Sequence, residues 1–446
     1  MKLLLILTAA SLVLAASARP KNLIFIMVDD AGVGDFGCYG GERIPTPNID
    51  RMAKEGMRFT NAYSGSAVCA PTRCVLMTGK HPGHCVRRAN QSNVGLLPLP
   101  DSEFTVAESL KEAGYATGGF GKWGLGNPGT TGVPEKQGFD LFYGYYDQKH
   151  AHDYYPDHLI RNSEKVPLPG NTGGKKETYT HTLIADETLK FIREHKDEPF
   201  FVYACWTPPH GKYVIPDASA FADKPWSQAV KNYAAMVALM DTDTGRVMDL
   251  LKELGIEKDT LVIFTSDNGP NAQFVKPLGS AGGLRGVKRH LHEGGVRAPF
   301  VAWWPGTVEA GSESDLLCGH VDWFATCAEI AGSKPQQGDD SISLLPVLTG
   351  KGEVKKRDAM YWEIYEGPGP FQQAVRMGKW KGYRQGTKAP LELYDLSKDA
   401  AEENDLSSEY PEVVKAIEAV MKREHEPSKY YNALEGPKKN RKNRKK

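Results

Sequence analysis

Cys69 opens the pentapeptide Cys69-Ala70-Pro71-Thr72-Arg73, after a Gly/Ser-rich approach (Ser64-Gly65-Ser66) and ahead of an expected helix. A cysteine entering a helix N-terminus, with an arginine one turn on, is expected to have a lowered pKa and to act as a nucleophile. Read alone, the pentapeptide also suits a structural cysteine in a loop. A second group consists of Asp29-Asp30, His210 and Asp267-Asn268. Each closely follows a short apolar run. In open parallel sheets, ligands bind beyond the carboxyl ends of the strands. Acids, an amide and an imidazole are therefore expected to converge on one site. For Asp29-Asp30 the plainer alternative is a turn or a helix cap.

The runs that would carry these residues are Asn22 to Val28, Phe200 to Trp206 and Leu261 to Thr265. They are continuously apolar and rich in β-branched and aromatic residues, as strands buried on both faces are. Helical stretches lie between them, at Thr105–Ala113, Thr180–Glu194 and Lys231–Leu254. In the last, Tyr233, Val237, Met240, Val247, Leu250 and Leu251 recur near helical spacing. Alternating strands and helices predict an α/β fold: a large, mostly parallel central sheet sandwiched by helices.

After about Thr349 the texture changes. Short strands are expected at Met360–Tyr365, Gln373–Val375, Trp380–Tyr383 and Leu391–Tyr394, then one amphipathic helix at Pro411–Glu424. That order predicts a smaller C-terminal α+β subdomain, a short antiparallel sheet plus a helix. Its aromatic residues Tyr361, Trp362, Trp380 and Tyr383 read first as core. The resulting organisation is a signal peptide at 1–18, a main α/β domain at 19–350, the subdomain at 351–430 and a basic tail at 431–446.

The signal reading rests on Lys2, the apolar run Leu3 to Leu14 and the Ala16-Ser17-Ala18 cleavage pattern. It predicts export, to a periplasm or outside the cell. The apolar run is too short to span a bilayer, and no membrane span is expected elsewhere. Lys plus Arg and Asp plus Glu balance at 55 each, so overall charge points to no nucleic-acid partner. The seven cysteines (Cys38, Cys69, Cys74, Cys85, Cys205, Cys318 and Cys327) contain no C-x-x-C pair, which argues against a zinc or redox site. Cys74 with Cys85 and Cys318 with Cys327 are conceivable disulfides, and buried free thiols are the equal alternative.

Five motifs, in order along the chain, resemble the type I sulfatases of the alkaline phosphatase superfamily. Cys69 to Arg73 runs on into Cys74-Val75-Leu76-Met77-Thr78-Gly79-Lys80. Gly121-Lys122-Trp123-Gly124-Leu125-Gly126 is similar to the second signature. Pro208-Pro209-His210 and Ser266-Asp267-Asn268-Gly269 follow. The fifth pairs Gly286-Val287-Lys288 with Glu293-Gly294-Gly295-Val296-Arg297-Ala298-Pro299. The segment Glu392 to Leu396, with Asn404 downstream, resembles the family's C-terminal part, so the resemblance spans Asn22 to about Leu406.

The resemblance implies hydrolysis of a sulfate monoester. It implies that Cys69 is oxidised to formylglycine by a formylglycine-generating enzyme reading C-x-P-x-R. The aldehyde hydrate attacks sulfur with one hydroxyl and expels sulfate with the other. Asp29, Asp30, Asp267 and Asn268, with residue 69 itself, would hold a hard cation. Their all-oxygen side chains suit Ca²⁺, with Mg²⁺ possible, and not zinc. Arg73 would hold the nucleophile in position. Lys122 and Lys288 would offset charge on the sulfate and leaving oxygen. His210 would protonate the leaving alcohol.

One departure stands out. Many members carry a histidine where this chain has Gly124, and that histidine is assigned to deprotonating the second hydroxyl. The nearest substitutes are His150 and His152, with His152 preferred. An equal role for this cluster, with Asp153, is gripping the hydroxyls of a sugar. Arg289, in the cationic segment Arg285 to His292, is a candidate rim contact to an anionic substrate. A sulfated small molecule or glycan is the expected substrate. The competing readings are a phosphate or phosphonate ester hydrolase of the same superfamily, and a sulfated-glycan binder without activity.

Overall fold

The computed structural model describes residues 21–333, 340–369 and 371–432. The signal peptide at 1–18 and nearly all of the basic tail lie outside the described residues. The described strands are β1 (Asn22–Val28), β2 (Met57–Phe59), β3 (Ala62–Tyr63), β4 (Ala116–Lys122), β5 (Leu141–Tyr145), β6 (His158–Arg161), β7 (Glu164–Pro167) and β8 (Phe200–Cys205). They continue with β9 (Thr260–Ser266), β10 (Phe300–Trp303), β11 (Ser312–Ser314), β12 (Cys318–Gly319), β13 (Met360–Ile364), β14 (Gln372–Met377), β15 (Trp380–Gln385) and β16 (Glu392–Asp395).

Ten of them form one sheet in the order β11-β2-β10-β9-β1-β8-β4-β5-β6-β7. Its centre, β9-β1-β8-β4-β5, is parallel throughout, and antiparallel pairs flank it on both sides. The apolar runs form strands here because both of their faces are covered. On β1, Leu23, Phe25 and Met27 enter one core while Ile24, Ile26 and Val28 enter the other. The first face is covered by the helices Cys69–Thr78, Val106–Glu112 and Trp323–Ala331, the second by Pro47–Glu55, Thr180–Glu194 and Gln228–Leu254. Each fully buried aliphatic side chain contributes roughly 1.5–3 kcal/mol.

β4 reads ATGGFGK and carries no strand signal in sequence, yet it sits between β8 and β5. Its glycines are required by close approach. A Cβ on Gly119 would stand 2.5 Å from the Phe142 ring, and one on Gly121 (φ +123°) 2.1 Å from the carbonyl oxygen of Cys205. This tight packing delivers Lys122 to the carboxyl end of the sheet.

β13-β14-β15-β16 form a separate antiparallel sheet. The helix Pro411–Glu424 covers one of its faces through Ile417, Val420 and Met421 against Val375 and Leu393. Trp362, Ala374 and Tyr383 join the main core from the other face. Tyr361, Trp362 and Tyr383 are thus core residues, and Trp380 packs at the edge. All seven cysteines are free thiols, with neither conceivable disulfide formed. No described helix is long and apolar enough to cross a membrane.

Candidate active site

The carboxyl ends of β1, β9, β8 and β4 bring Asp29-Asp30, Asp267-Asn268, His210 and Lys122 to one place. The helix Cys69–Thr78 adds Cys69 from its first turn and Arg73 from its second. Asp30 adopts a left-handed conformation (φ 71°), which for a non-glycine residue costs of order 1 kcal/mol. Its N–H donates to Asp267 Oδ1 (3.1 Å), tying the two strand ends together. Asn268 Nδ2 donates to Asp30 Oδ1 (2.8 Å).

The cationic side chains interlock with these acids. Lys122 Nζ donates to Asp29 Oδ2 (2.7 Å), and Arg73 reaches Asp29 Oδ2 (3.2 Å) and Asp267 Oδ2 (3.3 Å). Arg73 also donates to the carbonyl of Lys122. Lys288 Nζ donates to both oxygens of Asp30 (2.6 and 2.7 Å) and lies 3.6 Å from Cys69 Sγ. Cys69 Sγ is 3.2 Å from Asp29 Oδ1. His210 Nδ1 donates to the carbonyl of Gly211 (2.6 Å), which leaves Nε2 to accept from Lys288 (3.0 Å).

The electrostatics follow from burial and these pairings. Burial works to raise the Asp29 carboxyl, yet Lys122, His210, Arg73 and Lys288 hold it well below the usual carboxylate range. Asp30 is likewise lowered against its burial, by Lys288 and His210. Asp267 is pushed up to about 7, first by burial and then by the charge on Asp29. His210 is lowered to about 3 by burial and by Lys288, so the resting imidazole is neutral.

The lowered pKa expected for Cys69 is not found. Burial, then the charges of Asp267 and Asp29, push the thiol well above its ordinary value, outweighing Lys122 and Lys288. A helix N-terminus cannot offset two adjacent carboxylates in a dry site. Burial and these unneutralised carboxylates thus favour the protonated thiol at residue 69.

The oxygen donors fit a hard cation. Asn268 Oδ1 is buried without a hydrogen-bond partner, beside three buried carboxylates. An unpartnered amide oxygen among crowded acids is what an oxygen-ligated dication would satisfy.

A cavity of about 560 Å³ opens above this centre, and its walls include Cys69, His152, His210, Lys288, Arg289, Gln148 and Lys149. His152 stacks on His210 (ring centroids 4.2 Å apart, 15° between planes) and is lowered to about 4 by burial and by Lys122. His150 and Asp153 do not line the cavity. His150 Nε2 donates to the carbonyl of His158 (2.9 Å) with its ring against Tyr145, and Asp153 Oδ1 caps a turn by accepting from the N–H of Tyr155 (3.0 Å). Both are engaged by these local hydrogen bonds.

Sequence reasoning missed Gln148. A Cβ on Gly124, itself at φ +78°, would stand 2.5 Å from Gln148 Nε2. Gln148 therefore fills the volume that a residue-124 side chain would take, and its Nε2 is buried without a partner. The available signal was its position four residues before His152. Also missed was a group joined from three segments, His81, His84, Asp340 and Glu424. His81 Nδ1 accepts from the N–H of Gly83 (3.1 Å), so the proton of a neutral His81 sits on Nε2, 3.0 Å from Glu424. That tautomer makes the group a hydrogen-bonded clasp, because a metal ligand would need Nε2 free.

Comparison with known proteins shows the family. The sulfatase family model matches residues 21–333, and the C-terminal model of N-sulphoglucosamine sulphohydrolase matches residues 286–427. Arylsulfatase A of Homo sapiens is 33% identical, over 94% of this chain and 90% of its own length. N-acetylgalactosamine-6-sulfatase of Canis lupus familiaris is 32% identical, over 94% and 88%. The crystal structure of Ps i-CgsB superimposes with a TM-score of 0.82 at 27% identity, covering 93% of this chain and 95% of that one. The chain accordingly belongs to the sulfatase family and is a sulfuric ester hydrolase.

Proposed function

We propose that this enzyme releases sulfate from a sulfated carbohydrate, using a formylglycine made from Cys69 and a bound Ca²⁺. The observation that carries this reading is the setting of residue 69. Its Sγ lies 3.2 Å from Asp29 and 3.6 Å from the ammonium of Lys288, at the first residue of a helix and among the strand-end carboxylates. An aldehyde hydrate at this position supplies the attacking oxygen that the thiol does not, and a dication held by Asp29, Asp30, Asp267 and Asn268 supplies positive charge beside it.

The chain's own residues divide the remaining work. Arg73, fully buried between Asp29 and Asp267, fixes the carboxylates in register with the helix that carries residue 69. Lys122 and Lys288 present ammonium groups to an incoming sulfate, whose negative charge their position favours. The proton for the leaving oxygen comes from the Lys288 ammonium, which hydrogen-bonds His210 Nε2 at 3.0 Å: as the bond from sulfur to the leaving oxygen breaks, it passes to that oxygen through His210, leaving Lys288 neutral until it is reprotonated. The negative charge of a bound sulfate and of the departing alkoxide works against the depression of His210, raising its proton affinity when the proton is needed. His152, neutral and stacked on His210, and Gln148, with a free buried amide, face the leaving group and bind its hydroxyls.

A sugar as leaving group is supported by the relatives' chemistry. One relative is named for N-acetylgalactosamine 6-sulfate, and Ps i-CgsB has been crystallised with a neocarrahexaose. The cleavage pattern at Ala16-Ser17-Ala18 supports export to an oxidising compartment. The test is sulfate release from a panel of sulfated sugars and matching phosphate esters, with and without chelator. Release confined to sulfate esters, lost with chelator and restored by Ca²⁺, is expected. Preferential release of phosphate would overturn the reading.

A further inference from the structure

Two cations line the cavity without a hydrogen bond or ion pair to the cluster around residue 69 among the described residues. Arg289 follows Lys288 directly, and its guanidinium is anchored by one edge only. Nε donates to Glu366 Oε1 (3.2 Å), while no hydrogen bond among the described residues engages the two terminal nitrogens. Its side chain is 52% exposed and forms part of the cavity wall.

The backbone of Arg289 is held at φ +74°, unfavourable for any residue but glycine. Two distant segments enforce it: its N–H donates to the carbonyl of Ala67 (2.8 Å), and its own carbonyl accepts from Gln372 Nε2 (2.8 Å). Glycine at 367 is what lets that carbonyl pass, since a Cβ there would stand 2.2 Å from it. Strain maintained from several sides beside a reactive centre is the pattern of a functional position.

Lys149 lines the same cavity and is exposed, with no hydrogen bond or ion pair holding its ammonium among the described residues. The acids near the mouth are already engaged. Asp147 accepts from the N–H groups of Lys149 and His150, and Glu366 from the N–H of Asn90. The mouth therefore offers an open guanidinium fork and a free ammonium.

We infer that the substrate carries a second anionic group besides the reacting sulfate, and that Arg289 and Lys149 bind it at the cavity mouth. This rests on the sulfate-ester reading above and narrows its substrate class to sugars with two negative substituents, the second a sulfate or a carboxylate. A planar fork anchored at Nε suits bidentate contact with either.

The test is calorimetric binding to the Ca²⁺-loaded Cys69→Ser protein, which lacks the convertible cysteine and does not turn substrate over. The probes are matched monosulfated and disulfated disaccharides of the same backbone. The disulfated member is expected to bind about tenfold more tightly, with the gap narrowing as salt is added. Lys149→Met, at an exposed position where folding is not at stake, and Arg289→Gln should each shrink the gap. Equal affinities, a gap that survives both substitutions, or no binding by either probe would overturn the inference. Failure of the converted enzyme to release sulfate from the same sugars, with the binding gap intact, would count against the hydrolase mechanism and leave the second-anion site standing.

Discussion

The ammonium of Lys288 stands 3.6 Å from the sulfur of Cys69 and 2.6 Å from Asp30 Oδ1, so one charge touches both the proposed nucleophile position and a carboxylate of the proposed cation site. Its proton is held by Asp30 and other acids against the pull of burial, so the charge persists at any working pH. Lys288→Met is expected to lower kcat by about 10²–10³, the scale for losing one preorganised electrostatic contact. Steady-state kinetics on a sulfate ester check this. A fall in affinity alone, with kcat intact, would show that Lys288 only binds substrate.

Metal affinity should depend on pH through Asp267. Its carboxyl is pushed up to about 7 by burial and by Asp29, and a cation binds only the ionised form. Below pH 7 a proton therefore competes with the ion. Affinity for Ca²⁺ should rise by up to about tenfold per pH unit below 7 and level off above it. Competition with a calcium indicator at several pH values measures this, and a flat profile would contradict it.

Placing a histidine at position 124, where the sequence resemblance implies one, should fail unless Gln148 is also changed. Gly124→His places a side chain against Gln148 Nε2 at φ +78°, and about 1–3 kcal/mol of destabilisation is expected. Gly124→His with Gln148→Ala should recover the steric part of that loss and keep the backbone part. Urea melts of the two variants give the comparison.

Acid stability should be governed in part by buried neutral histidines. His320 is lowered to about 3 by burial and then by Arg73, and His292 to about 3 by burial and then by Arg285. Both groups gain protons on unfolding, where their pKa returns to the ordinary 6.5. The stability they contribute is complete above pH 6.5 and is lost as pH falls toward 3, by up to about 1.4 kcal/mol per pH unit for each. His320→Gln should remove one proton's worth of slope in melts between pH 6.5 and 5.

How much of this was legible beforehand depended on what each residue packs against. The runs that became β1, β8 and β9 are covered on both faces, so their apolar character marks them almost residue by residue. β4 was hidden because its glycines serve backbone approach to Phe142 and Cys205, partners that sequence spacing does not reveal. Motif order brought the residues around position 69 within reach, but not the sign of the Cys69 shift, which depends on carboxylates arriving from two other strands. His150 and Asp153 read as site residues by their neighbours in the chain, yet they are engaged in local hydrogen bonds and do not line the cavity. Gln148 carries no charge to draw notice, and its importance lies in a volume that Gly124 leaves open.

The most direct test of the central claim is the mass of the peptide containing residue 69, from protein made in a host that has the formylglycine-generating enzyme. A mass lowered by exchange of the CH₂SH side chain for an aldehyde is predicted, in step with sulfatase activity across preparations. Full activity from protein whose residue 69 is an unmodified cysteine would contradict the account.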